Sequence, residues 1–491
     1  MKDLSKLFYP GSVAVIGASE NVLKWGSIII SNVLDGGFKG EVHPVSTSNE
    51  TVYGRRASKS LRDIGAPADL LIITTPAATV MGILRDCVAT GIRNVVIVSS
   101  GFSEAGEEGR RHEREVREFA LANGLNVVGP NTMGIANFKE GLHGMFSHVR
   151  LKKGGISLMA QSGNVGNQIM YWAEQQSIGM SKFVGSGNEA ALMCEDYLDY
   201  FHGDADTSVI IMYLEGVDNG RSFMEAARRT TRDKPVVLLK GGRTRVGTKA
   251  AMSHTGALAG RIQIFSAAME QAGVSMVDSQ SEMLTLAAAF DSMPLPKGNR
   301  IGVVTLGGGW GVITADECEE RGLTLPPLPE DVKARLDKML PSFWSKGNPV
   351  DLVGQPDPNL FRESVEAMIS SDAYDAVILL GIINSFKTAM RLYEATMRLG
   401  KPVEMNLEDM ERTLDDLQNV FLDNIADLME KYEKPIYPVA LVAQADQPVV
   451  HAPKSPKKYN AIIFRTPEEA VSCLAKQYRY SRYLRKQGRK P

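Results

Sequence analysis

Cysteine is scarce and scattered. Only four occur, Cys87, Cys194, Cys318 and Cys473, with no close pair among them, which argues against a disulfide framework and a zinc site and fits a reducing cytoplasm. An excess of one charge is also missing: 55 Lys and Arg stand against 57 Asp and Glu, a net charge of -2. Neither nucleic acid nor an anionic membrane is therefore expected as the main partner, while small anionic ligands remain open because a site needs only local dipoles. No apolar run approaches the roughly 18 to 20 residues of a membrane span, and Met1-Lys2-Asp3-Leu4-Ser5 opens without an apolar signal core. No Walker loop and no complete G-x-G-x-x-G occurs. A soluble, cytoplasmic protein is expected.

What the chain does have is repetition. At 491 residues and 44% hydrophobic content it exceeds one ordinary core and suggests roughly three domains. β-branched runs alternate with helical patterns, first at Ser12-Val13-Ala14-Val15-Ile16, Leu70 to Thr74 and Asn94 to Val98. They restart at Gly155 to Ala160, Val209 to Tyr213 and Pro235 to Leu239, and again at Arg300 to Thr305 and Ala376 to Leu380. This is the pattern of parallel strands with crossover helices, and it predicts an α/β protein of three tandem doubly wound domains: residues 1–148, 149–293 and 299–475, with a basic tail at 476–491. Pro294-Leu295-Pro296-Lys297-Gly298 reads as a linker, residues 387 to 434 as helix, and Ile436 to Ala440 as a strand. The tail holds seven Lys or Arg and no acid from Lys476 to Lys490, which reads as a basic helix end or docking arm.

Two strands run straight into glycine turns that open helices: Gln161-Ser162-Gly163-Asn164-Val165-Gly166 and Leu306-Gly307-Gly308-Gly309-Trp310-Gly311. Glycine lets the backbone bring free N–H groups against a ligand, and the helix adds about half a positive charge, so each is a candidate phosphate cradle as well as a plain tight turn. A third loop, Ile16-Gly17-Ala18-Ser19-Glu20-Asn21, lies in the same setting, but Ser19 and Val22 occupy the places of the second and third dinucleotide glycines. NAD is thus poorly supported. His254 stands among small neighbours in Ala251-Met252-Ser253-His254-Thr255-Gly256-Ala257. Such an imidazole is open to a bulky donor and acceptor, as a phosphoryl-carrying nucleophile must be, although a structural histidine before a helix reads the same way.

With these features goes an ordered set of short motifs: Val15-Ile16-Gly17-Ala18-Ser19, Ser100-Gly101-Phe102-Ser103-Glu104, Gly129-Pro130-Asn131, Gln161-Ser162-Gly163, Leu214-Glu215-Gly216-Val217, Ser253-His254-Thr255-Gly256 and Asn348-Pro349-Val350-Asp351. In this order the chain resembles the α subunit of the nucleoside-diphosphate-forming acyl-CoA synthetases, the ADP-forming acetate-CoA ligase group related to succinyl-CoA synthetase. The resemblance implies a Rossmann-like CoA-binding domain followed by two flavodoxin-like domains. It implies a reversible acid-thiol ligase that interconverts acyl-CoA, ADP and phosphate with carboxylic acid, CoA and ATP through an acyl phosphate and a phosphohistidine.

Carried over position by position, the resemblance makes His254 the phosphorylated histidine and Glu215 the acid on its other ring nitrogen. Gln161, Ser162, Gly163, Asn164, Gly307, Gly308 and Gly309 become phosphate-binding. Gly17, Ala18, Ser19, Asn21, Pro44, Thr75, Pro76, Ser100 and Gly101 become CoA-binding, and no metal ligand is implied. ATP or ADP and Mg²⁺ are expected on an ATP-grasp β subunit, most simply in an α2β2 assembly, since no segment here resembles an ATP-grasp region.

The chain departs from the family at Ser46-Thr47-Ser48, where Asn-Pro-Lys usually places a lysine near CoA phosphate. It departs again at Leu306 and Trp310 in the third-domain turn, and at Asn167-Gln168, which bears on the acyl group. The rival readings are an NAD(P)-dependent oxidoreductase, opposed by the lack of an acid at the end of Glu41-Val42-His43-Pro44-Val45, and a non-catalytic CoA-binding regulatory protein.

Overall fold

The computed structural model describes residues 2–249, 262–355, 357–400, 406–442 and 447–490. The chain divides into two compact units, Met1–Glu174 with Ile178–Met283, and Gln175–Ser177 with Leu284–Pro491. In the first unit the strands Glu41–Val45, Ser12–Ile16, Leu70–Ile73, Asn94–Ile97 and Asn126–Val128 lie side by side in that order, all parallel. Counted along the chain, the order is 2-1-3-4-5. Every residue of Leu70–Ile73 and Asn94–Ile97 is buried, because helices cover both faces of a parallel sheet and its central strands must be apolar throughout.

The second sheet repeats that order with Met180–Gly185, Lys153–Ala160, Val209–Leu214, Val236–Lys240 and Ser275–Val277. Beyond Met180–Gly185 it gains an antiparallel hairpin, Gly134–Asn137 and Leu142–Met145. The hairpin covers an otherwise open sheet edge. It also helps join the two sheets, which share one apolar core running from Val13, Val15 and Ile29 to Met159, Ile210 and Met212.

The second unit holds Val350–Asp351, Ile301–Thr305, Ala376–Ile383 and Ile436–Ala440, again parallel and in the order 2-1-3-4. The basic tail is the second half of the helix Pro467–Lys486, started by Thr466 as N-cap and Pro467 in the first turn. Gln477, Tyr480, Ser481 and Leu484 of this helix are buried, and Tyr437 Oη donates to Gln477 Oε1 at 2.6 Å. One face of the tail therefore packs into its own unit and the basic residues line the other.

A buried ion pair ties the second sheet to the chain's start. Lys182 is fully buried, its Nζ 2.7 Å from Asp204 Oδ2, and Tyr9 Oη donates to Asp206 Oδ2 at 2.6 Å and to Asp204 Oδ1 at 3.1 Å. Burial pulls the Lys182 pKa below its ordinary value against the pull of Asp204. Deleting the acid takes the nearest counter-charge from a buried ammonium and leaves only Asp206 Oδ2 at 3.9 Å, so Asp204→Ala should cost about 3 kcal/mol, whereas Asp86→Ala, at an exposed pair with Arg62, should cost at most about 1 kcal/mol. Urea unfolding of both variants checks this; equal midpoints would remove the special weight given to Lys182.

Candidate functional site

In all three sheets the first and third strands are neighbours, and their crossovers leave toward opposite sides, which opens a crevice at the strands' carboxyl ends. The three glycine loops sit at those ends. In the first sheet, Gly17 (φ 90) follows Ser12–Ile16, and Gly17 N–H and Ala18 N–H donate to Val45 O at 3.0 and 3.2 Å. A Cβ on Gly17 would lie 2.5 Å from Thr74 Oγ1, and one on Gly26 would lie 2.1 Å from Gly17 O. No side chain fits between this loop and the helix Trp25–Asp35.

Ser19 Oγ accepts from Asn21 N–H at 3.1 Å, and exposed Asn21 accepts from Leu23 N–H at 3.0 Å. Thr75 and Pro76 follow the third strand, Pro76 capping the helix Ala77–Thr90. Ser100 and Gly101 follow the fourth, with Gly101 N–H donating to Glu104 Oε1 at 2.6 Å. Because these strands are adjacent, Gly17 to Ser19, Thr75, Pro76, Ser100 and Gly101 share one edge. Pro44 is buried within the strand Glu41–Val45. In the departing loop, Ser46 Oγ accepts from Asn49 N–H at 3.2 Å, and exposed Lys59 reaches Asn49 O at 3.2 Å and Thr47 O at 3.4 Å.

At the second sheet the helix Gly163–Gln175 starts one residue after Ser162. A Cβ on Gly166 would meet Phe183 and Ala160 at 3.0 to 3.3 Å, so glycine there lets the helix lie close on the sheet. Gln161 bridges the crevice: its Oε1 accepts from Glu215 N–H at 2.5 Å and Gly216 N–H at 3.1 Å, and its Nε2 donates to Gly216 O at 2.9 Å and Glu189 Oε1 at 3.1 Å. Glu215, only 8% exposed, accepts from Tyr213 Oη at 3.2 Å, and its backbone carbonyl accepts from Lys240 Nζ at 2.6 Å.

Beside the turn lies a cavity of about 210 Å³ whose walls include apolar Trp25, Met133 and Phe146 and polar Asn131, Ser162 and Asn164. The Trp25 and Phe146 rings stack with centroids 6.0 Å apart. Asn167 accepts from Ser147 Oγ at 2.6 Å, and Gln168 is exposed.

In the second unit Gly307 caps the helix Gly308–Glu320, and its carbonyl accepts from Thr305 Oγ1 at 2.7 Å. Gly307 and Gly309 face open space, but a Cβ on Gly308 would lie 3.0 Å from Asp351 Oδ2. That turn therefore has a carboxylate beside it. His254 lies outside the described residues. Among those residues no group of three or more His, Cys, Asp or Glu is arranged to hold a metal, and no helix is long and apolar enough to cross a membrane.

Residues 11–137 match the CoA binding domain, residues 153–290 the succinyl-CoA ligase like flavodoxin domain and residues 301–410 the ligase-CoA domain. The chain is 38% identical to the α subunit of ADP-forming acetate–CoA ligase II of Pyrococcus furiosus, over 78% of this chain and 83% of that protein. The chain belongs to the ADP-forming acetate–CoA ligase family.

It is of the α-subunit type within these ADP-forming ligases. It also resembles the ADP-forming acetate–CoA ligase of Methanocaldococcus jannaschii, at 36% identity over 72% of this chain and 50% of that one. A solved structure, the dinucleotide forming acetyl-coenzyme A synthetase 1 of Candidatus Korarchaeum cryptofilum in complex with phosphate and ADP, superposes with a TM-score of 0.83 at 29% identity, covering 99% of both chains.

Sequence reasoning missed Glu189 in this ligase-family chain. Glu189 is 7% exposed, sits at φ 55, and accepts from Ser186 Oγ at 2.7 Å and Cys194 N–H at 3.2 Å besides Gln161. Burial pushes its carboxyl up to about 7 from an ordinary 4.5, against the three donors. An acid raised in the folded state binds its proton more tightly there than when unfolded, so its contribution to stability falls as pH rises from about 4.5 to about 7. Glu189→Gln removes that dependence: relative to the parent it should gain stability between pH 5 and pH 8, by up to roughly 3 kcal/mol. Urea midpoints at the two pH values measure this, and parallel shifts in both proteins would refute it.

Proposed function

We propose that the chain is the acyl-CoA and phosphohistidine subunit of an ADP-forming acyl-CoA ligase, acting with an ATP-grasp subunit in the cytoplasm. The observation that carries the reading is the crevice at the second sheet, where Gln161 joins Glu215 to the start of the helix Gly163–Gln175.

Phosphate oxygen attacks the thioester carbonyl, the C–S bond breaks, and the thiolate leaves as CoA after taking a proton. The acyl phosphate formed then gives its phosphoryl group to a ring nitrogen of His254, releasing the carboxylate, and a β-phosphate oxygen of ADP takes the group on to make ATP. Glu215 holds the other ring nitrogen's proton and stabilises the imidazolium. N–H groups of Gly163 and Asn164 and the helix end stabilise the phosphoryl charge. CoA binds along Gly17 to Ser19, Thr75, Pro76, Ser100 and Gly101. The tight Gly17 turn leaves room for backbone to approach a phosphate, and Lys59 supplies a cation at the loop where Ser46-Thr47-Ser48 replaces the usual lysine. In the second unit, Gly307 to Gly309 form a further phosphate-binding helix end.

Two outcomes test this. In the complete enzyme, γ-labelled ATP should place acid-labile, alkali-stable label on the chain; His254→Ala should abolish it and Glu215→Gln should slow it about tenfold or more without loss of fold. Label persisting on His254→Ala would end the assignment.

The chain's likeness to proteins named as α subunits supports a partner that holds Mg-nucleotide, most simply in an α2β2 assembly. Purified alone, the 491-residue chain should stay folded yet form no ATP from acyl-CoA, ADP and phosphate, and adding the ATP-grasp polypeptide should restore turnover. Robust synthesis by the chain alone would overturn this division of labour.

A further inference from the structure

We infer that Glu189 is a positioning residue for phosphoryl transfer, acting through Gln161 on the backbone that carries Glu215; the role rests on the function proposed above. The geometry is a relay across three loops. The Gln161 amide is symmetric in shape but not in hydrogen bonding, and which end faces Glu215 depends on its neighbours. Glu189 Oε1 accepts from Nε2 at 3.1 Å, beside Gly216 O at 2.9 Å. With the N–H groups of Glu215 and Gly216 on the oxygen, at 2.5 and 3.1 Å, these two acceptors hold the NH₂ end toward Glu189.

Glu189 is itself tightly held. Ser186 Oγ and Cys194 N–H donate to it, and its loop is pinned by Asn188 N–H to Pro130 O at 2.9 Å and Ala190 N–H to Gly129 O at 3.0 Å. A carboxylate buried this deeply is costly, and one with three donors that points at a single amide is poorly explained as a surface acid turned inward. It does not reach the about 210 Å³ cavity beside the turn, which Gln161 lines and Glu189 does not. Glu189 lines instead another cavity, of about 290 Å³, with Gln161 and Gly216, and its link to the backbone of Glu215 runs through the Gln161 amide.

An apolar replacement takes away one of the two acceptors that hold Nε2 and leaves Gly216 O alone on that side. A glutamine in its place keeps an oxygen facing Nε2, although its NH₂ then meets the Cys194 N–H. In the complete enzyme, single-turnover phosphorylation of Glu189→Gln should stay within about threefold of the parent, while Glu189→Leu should fall about tenfold or more at an unchanged KM for acyl-CoA. If the Leu variant does not fold by circular dichroism and thermal melting, Glu189→Met takes its place. In a Gln161→Leu background the apolar change should add less than about twofold, because both act through one amide. Parent-like phosphorylation by a folded apolar variant, or an equal loss in the Gln161→Leu background, overturns the role. Loss of phosphorylation in His254→Ala, run alongside, separates that result from a failure of the proposed function.

Discussion

The orientation of one neutral amide governs the second-sheet crevice. Gln161 meets two donors at its oxygen and two acceptors at its nitrogen. Turning the amide over would set donor against donor and acceptor against acceptor at each contact, and an unmade buried hydrogen bond costs about 1 to 3 kcal/mol. One orientation is therefore strongly preferred. Through it the loop after the first strand, the loop after the second and the loop after the third are held as one piece. A salt bridge in its place would add charge to the crevice that the proposed function gives to a phosphoryl group.

The three sheets share one strand order, so each offers a crevice with a glycine loop beside it, yet the loops differ in what approaches them. Gly17 is enclosed by Thr74 and by the helix bearing Gly26, which suits a turn that places backbone rather than side chain against a ligand. Gly308 has Asp351 beside it. A carboxylate near a helix start is itself stabilised by the dipole, and its charge opposes a second anion there. At Gly163 the nearest atom to an added Cβ is Met133 Cβ, at 3.3 Å. Of these three glycines, only Gly308 has a carboxylate against it.

Much of this architecture was legible in the sequence because parallel strands buried on both faces need unbroken apolar runs. Ser12–Ile16 and Ile436–Ala440 have the bounds the pattern gives. The hairpin Gly134–Asn137 and Leu142–Met145 was not legible, since Gly-Ile-Ala-Asn and Leu-His-Gly-Met have neither such a run nor a turn signal between them beyond one glycine. The site divided in the same way. Gln161 to Gly163 stood out as a strand running into glycine, whereas Glu189, between Asn188 and Ala190, reads locally as a solvated acid. Only the helix Cys194–Gly203 folding over it, with Cys194 N–H as a donor, makes it a buried one. Trp25 and Phe146 gave no signal either, because they meet through the hairpin that the pattern does not announce.

The composition of the cavity bears on reversibility. Among the described residues its walls, including Asn131, Gln161, Ser162, Asn164 and the Trp25–Phe146 pair, contain no Lys, Arg, Asp or Glu. An anion there is met by backbone N–H groups, amides and hydroxyls, donors that bring no full opposite charge with them. A helix end contributes about half a charge without a mobile counter-ion that would have to be displaced. In the function proposed above, such a site orients a phosphoryl group without a fixed counter-charge that transfer in either direction would have to break, and a net charge of -2 over the whole chain leaves the local dipoles to set that balance.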